Sequence, residues 1–99
     1  MFMLQIEFDS KKREITLLER GLDFTVANEI FEGKHFTLED TRHNYGEIRY
    51  ISIGKLQSTQ IVVIVWTYRP NSINPTHRRI ISMRKANERE IRKYQQYLR

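Results

Sequence analysis

The ten residues TQIVVIVWTY, Thr59 to Tyr68, decide the fold. Within them Ile61 to Trp66 is an unbroken apolar run of six residues, mostly β-branched. Such a run reads as a strand, and a strand apolar on both faces belongs at the centre of a sheet covered on both sides. Outward from it, Gly54 to Ser58 reads as a reversal, preceded by a strand over Glu47 to Ile53 with Ile51 and Ile53 on one face and Ile48 and Tyr50 on the other. Thr41 to Gly46 collects turn formers, and Lys34 to Glu39 is a modest strand before them. On the other side Pro70 to Pro75 is a loop and Arg78 to Met83 a further strand.

The ends of the chain have helical signals. Phe2 to Phe8 alternates as a strand, and Asp9 or Ser10 can cap a helix over Ser10 to Glu19 with Ile15, Leu18 and Leu22 on one packed side. Gly21 stops it, and a short helix over Thr25 to Glu32 buries Val26, Ala27, Ile30 and Phe31. Asn87 and Glu90 form a capping box for a last helix from Glu88, with Ile91, Tyr94 and Leu98 as its apolar face. The expected order is β-α-α-β-β-β-β-α: an α+β domain, a small antiparallel sheet flanked by helices.

The 99 residues make one domain, 1–99, because a chain of this size closes around a single core. At 39% hydrophobic the chain has enough apolar surface to fold, yet no stretch of it approaches the roughly 20 apolar residues of a membrane span. The start has no signal-peptide pattern and there are no cysteines, so a cytoplasmic location is expected. The net charge of +5 is concentrated at one end. Residues 1–76 carry nine Lys/Arg against ten Asp/Glu, and residues 77–99 carry eight against two. A basic end on a neutral body suits a polyanion or an acidic protein surface, and it equally suits a solvated helix face.

Metal and cofactor signatures are missing. His35, His43 and His77 are unpaired at helical spacing, Cys is absent, the glycines are isolated, and no serine sits in a nucleophile elbow. What remains is arginine on strands: Arg49, Arg69, Arg79 and Arg84. A guanidinium grips phosphate with two parallel hydrogen bonds and stays charged, so several on one face would hold a phosphodiester. Strict alternation puts Arg79 and Arg84 on opposite faces unless a bulge intervenes. The competing reading pairs these arginines structurally with Glu39, Asp40 and Glu47. Glu47 is a candidate general base, His77 a candidate proton shuttle, and Tyr45 a candidate platform for a base, with Arg79 and Lys85 as further nucleic-acid contacts. Trp66 belongs to the core.

In their order these pieces resemble the BrnT-type toxins of bacterial toxin–antitoxin pairs. The resemblance lies in Phe8-Asp9 with Lys12, Gly21 with Phe24, Ala27 and Phe31, Asp40-x-Arg42, Tyr45-Gly46-Glu47-x-Arg49, Ile53-Gly54, the run Val62 to Arg69, and Arg79 to Ala86 with Glu90 and Tyr94. It implies a RelE-like fold and a ribonuclease that cuts RNA without metal or cofactor. It also implies a cognate antitoxin, BrnA-like and DNA-binding through a ribbon-helix-helix or related domain, that forms a hetero-oligomer with the toxin and blocks it. The chain departs from the family at Thr16, Glu19 and Arg20, where an Asn and a Lys-His pair are usual. On this reading Arg69 and Arg84, then Arg49, neutralise phosphate and transition-state charge, with Glu47 and His77 moving protons. The rival reading is a non-catalytic basic module that docks a protein or nucleic acid. The catalytic reading requires the guanidinium groups to share one open face; groups far apart, each locked to its own carboxylate, would count against it.

Overall fold

The structure, a computed structural model, describes residues 4–56, 59–70, 72 and 74–97. Phe2, Met3, Gln57, Ser58, Asn71, Ile73 and Leu98, which fall within the expectations above, lie outside them. Its centre is strand β4, Ile61–Arg69, flanked by β3, Arg49–Lys55, and β5, His77–Lys85. The outer strands are β1, Gln5–Phe8, beside β5, and β2, His35–Asp40, beside β3, so the sheet runs β1-β5-β4-β3-β2. Val62, Val63 and Ile64 are buried, as a strand covered on both faces requires.

The expected antiparallel sheet is corrected in one place: β1 pairs with β5 in parallel, whereas the other three ladders are antiparallel. Alternation along β1 shows which residues point inward, not which way its neighbour runs.

The sheet's first face is covered by a 3₁₀ turn at Phe24–Val26 and helix α2, Asn28–Glu32, while helix α1, Ser10–Arg20, lies along the β5 edge. The expected single helix over Thr25 to Glu32 is thus broken into two pieces. Phe24, Ala27 and Ile30 pack there against Val62, Ile64, Trp66, Ile80 and Met83. Gly54 lets α2 approach, because a Cβ at that position would meet Ile30 Cγ2 at 2.7 Å. Trp66 is in this core, its indole N–H donating to Ser52 Oγ at 2.8 Å.

Helix α1 departs from expectation. Leu22, just past its end, is buried, but Ile15 is 52% and Leu18 86% exposed, and no residue of the helix is buried. Its attachment is polar. The Asp9 carboxylate accepts from the Lys11 and Lys12 amides and caps its start. Lys12 Nζ and an Arg20 guanidinium N–H donate to the carbonyls of Ile81 and Met83, at 3.2 and 3.0 Å. Strand β1 runs only beside residues 77–80 of β5, so α1 supplies donors to the edge beyond it.

The second face is only partly covered. Helix α3, Glu88–Tyr97, lays Tyr94 on Phe36, Ile53 and Val63. Its start is the expected capping box: Asn87 Oδ1 accepts from the Glu90 amide, and Glu90 Oε1 accepts from the Asn87 amide, each at 2.9 Å.

Candidate functional site

The half of the second face that α3 leaves bare is where the arginines meet. A bulge in β5 brings this about. Val65 pairs with Ser82 and Trp66 with Ile80, so Ile81 is an extra residue without a partner on β4. The period-two alternation is reset there. Ile80 and Met83, three apart, point into the same core, and Arg79, Ser82 and Arg84 all turn to the other face. The expectation that Arg79 and Arg84 oppose each other is therefore overturned, by the one irregularity that could do so.

Register orders the second face into rows. Thr67 pairs with Arg79, and Arg49 lies level with it on β3, one step beyond the Tyr50–Trp66 pair. Arg69 and His77 form the next row toward the free end. At a strand spacing of about 4.8 Å the backbones of Arg49 and Arg79 are roughly 10 Å apart with Thr67 between, and Arg69 is about 7 Å along β4 from Thr67. Arg49, Arg69, Arg79 and His77 thus form one group around Thr67. Thr67 was not singled out from sequence, although a lone hydroxyl two residues before Arg69 in an apolar strand was a readable signal. Thr67 is buried, and its hydroxyl donates to the Ile48 carbonyl at 2.7 Å, which fixes the backbone between Glu47 and Arg49.

Arg84 is set apart. It pairs with Val63, about 13 Å along the strands from Thr67. Its guanidinium makes two parallel bonds to Glu90, at 2.8 and 2.9 Å, which tie the end of β5 to the capping box of α3. Those bonds raise the Arg84 pKa and lower that of Glu90. Lys85 is not with the group either: it pairs with Val62, on the opposite face. Arg78, paired with Tyr68, lies on that opposite face as well, and its guanidinium stacks 4.2 Å from the Phe31 ring centre and 5.2 Å from that of Trp66.

Every arginine of the group has a carboxylate. Glu47 takes Arg49 at 3.1 Å and Arg69 at 3.5 Å, while Arg79 pairs with Glu7 of β1. The two conditions set by the sequence reading thus come out differently: the guanidinium groups share a face, yet each is partnered. Glu47 is shared between two of them. None is sealed off, because Arg69 keeps 41% and Arg79 31% of its side chain exposed.

The loop after β2 supports one side of this group. The Asp40 carboxylate, with its side chain fully buried, accepts two bonds from the Arg42 guanidinium, one from the Arg42 amide and one from Tyr45 Oη. The Arg42 bonds hold its pKa far below the usual carboxylate range. Gly46, at φ 73°, turns the chain in a conformation that favours glycine, and Glu47 follows. Tyr45 is no free platform: Arg49 lies over its ring at 4.1 Å and His43 meets it edge to face. His77 has its Nδ1 2.7 Å from Thr76 Oγ1. Among the described residues no group of His, Asp and Glu is placed to hold a metal, and no helix is long and apolar enough to cross a membrane. Arg20, at one of the departures from the family pattern, is engaged at the edge of β5 by its bond to Met83.

A small α+β domain with a basic, half-open sheet is the class these features define. Residues 8–90 match the family model of the ribonuclease toxin BrnT of type II toxin–antitoxin systems, and the chain belongs to that family. Among solved structures it is similar to the ribonuclease toxin BrnT of Brucella abortus, with a TM-score of 0.59 and 23% identity over 87% of this chain and 100% of that one. That likeness shows the shared fold. No curated protein matches the chain.

Proposed function

We propose that the chain is a metal-independent endoribonuclease that cuts at the open half of the sheet, and that a cognate antitoxin silences it by covering that face. The observation that supports this is the gathering of Arg49, Arg69 and Arg79 around Thr67, with Glu47 and His77 alongside. RNA carries its own nucleophile, so the protein need only orient the 2′-hydroxyl, move protons and neutralise charge. In this scheme Glu47 takes the 2′-hydroxyl proton as the oxygen attacks phosphorus. The P–O5′ bond breaks, and His77 delivers a proton to the departing 5′-oxygen. The products are a 2′,3′-cyclic phosphate and a 5′-hydroxyl. Arg69 and Arg79 hold the phosphate oxygens, and Arg49 keeps Glu47 in place. Arg84 moves from a leading catalytic candidate to a structural one, because it lies about 13 Å along the strands from Thr67 and joins β5 to α3 through Glu90.

Growth arrest on induction in a bacterium without the partner, with RNA decay and rescue by a co-expressed antitoxin, is the expected result. Harmless overproduction of folded protein would refute it. A second reading, a basic module that binds without cutting, is favoured by the carboxylate on each of Arg49, Arg69 and Arg79, and intact RNA in that experiment would select it.

A further inference from the structure

Between the arginine group and the part covered by α3 lies one further row of the second face. Leu38, Ile51, Val65 and Ser82 follow one another across β2, β3, β4 and β5 by direct pairing. None is buried: Leu38 is 47% exposed, and the other three are half-buried. Ile51 leans on the core beneath α3, which leaves a shallow aliphatic floor one residue wide. Cations border it, with Arg49 and Arg79 along one side and Arg84 on the other. Ser82 ends the floor, and its hydroxyl has no hydrogen-bond partner among the described residues, whereas Ser52 and Thr67 are both bonded.

A flat apolar strip with cations on its flanks and one free hydroxyl at its end matches a nucleotide: base face on the strip, phosphate on the arginines, base edge at the hydroxyl. A protein helix laid here would need an apolar stripe longer than three side chains. Resting on the ribonuclease reading above, we propose that Leu38, Ile51 and Val65 form the floor of a base subsite next to the scissile phosphate, and that Ser82 reads the edge of that base.

The test uses short single-stranded oligonucleotides with one ribonucleotide linkage, the base on either side varied in turn, and reads kcat and KM for each. Wild type should favour one base at one position by about tenfold, near what one hydrogen bond supplies. Ser82→Ala should bring that preference to within about twofold while preserving cleavage of the disfavoured oligonucleotides. Leu38→Ala, at an exposed site, should raise KM severalfold at unchanged kcat and unchanged melting temperature. Equal cleavage of all contexts by wild type overturns the subsite, as does a preference that Ser82→Ala leaves intact or a KM that Leu38→Ala does not move. Cleavage of none by wild type overturns the ribonuclease reading and the subsite with it.

Discussion

The two faces of the sheet are made by the same strands and do opposite things. On one, Val62, Ile64, Trp66, Ile80 and Met83 are sealed under α2 and the 3₁₀ turn. On the other, Val63, Thr67 and Asp40 are buried too, but Leu38, Arg69, Arg79 and Arg84 keep substantial exposure. The difference shows that a sheet can hold its stability on one side and leave the other free for charge. Ion pairs on the open side contribute little to stability individually, so their residues can change with small structural cost.

That contrast can be broken by substitution. Ile64→Ala, on the sealed face, should cost about 2–5 kcal/mol in a denaturant melt, because the cavity cannot collapse beneath two layers. A cost under 1 kcal/mol would mean the first face is loosely packed. Arg69→Ala, on the open face, should lower RNA cleavage about 10²-fold or more with the melt nearly unchanged. A fully active variant would remove Arg69 from the site.

Asp40 is where the two kinds of behaviour meet, since a buried carboxylate supports an exposed loop. Asp40→Asn should destabilise by about 1–3 kcal/mol at neutral pH, because Arg42 and Tyr45 lose a charged acceptor. The sign with pH follows from its depressed pKa. The unfolded chain takes up the proton first, so this stability is present above the ordinary aspartate range and is lost as pH falls through that range toward the folded value. Urea melts from pH 7 to pH 2.5 should therefore show a smaller acid loss in the variant than in wild type. Equal losses would assign the acid sensitivity to other carboxylates, of which Asp23, held low by Arg13, is the first. The smallest effect is expected at Glu90→Gln. It weakens the join between β5 and α3 by about 0.5–1 kcal/mol, because Arg84 is partly exposed. Its cleavage rate should stay within twofold of wild type, and a large loss of cleavage would return Arg84 to the catalytic group.

Much of the fold was legible because burial writes itself into period. The run Ile61 to Trp66 could only be central, and the Asn87–Glu90 box and the Asp9 cap mark helix starts through local chemistry that needs no tertiary partner. Helix α1 was misread for the converse reason. Ile15 and Leu18 suggest a packed stripe, but its anchor points are the Lys12 and Arg20 donors that complete the edge of β5. The candidate site was half legible. Arginine on strands was visible, and Tyr-Gly-Glu-x-Arg marked the turn. The grouping was not, because Ile80 and Ile81 are both apolar and either could face the core.

By itself the sequence determined the elements, the central strand and the two helix caps, since these follow from spacing and from side chains meeting their own neighbours along the chain. Only the tertiary structure decided that β1 runs parallel to β5, that Ile81 is skipped, and hence that Arg79 joins Arg49 and Arg69 beside Thr67. Pairing is a choice between backbones distant in the chain, with hydrogen bonds that carry no side-chain signature. One unpaired residue then reverses the direction of every side chain beyond it.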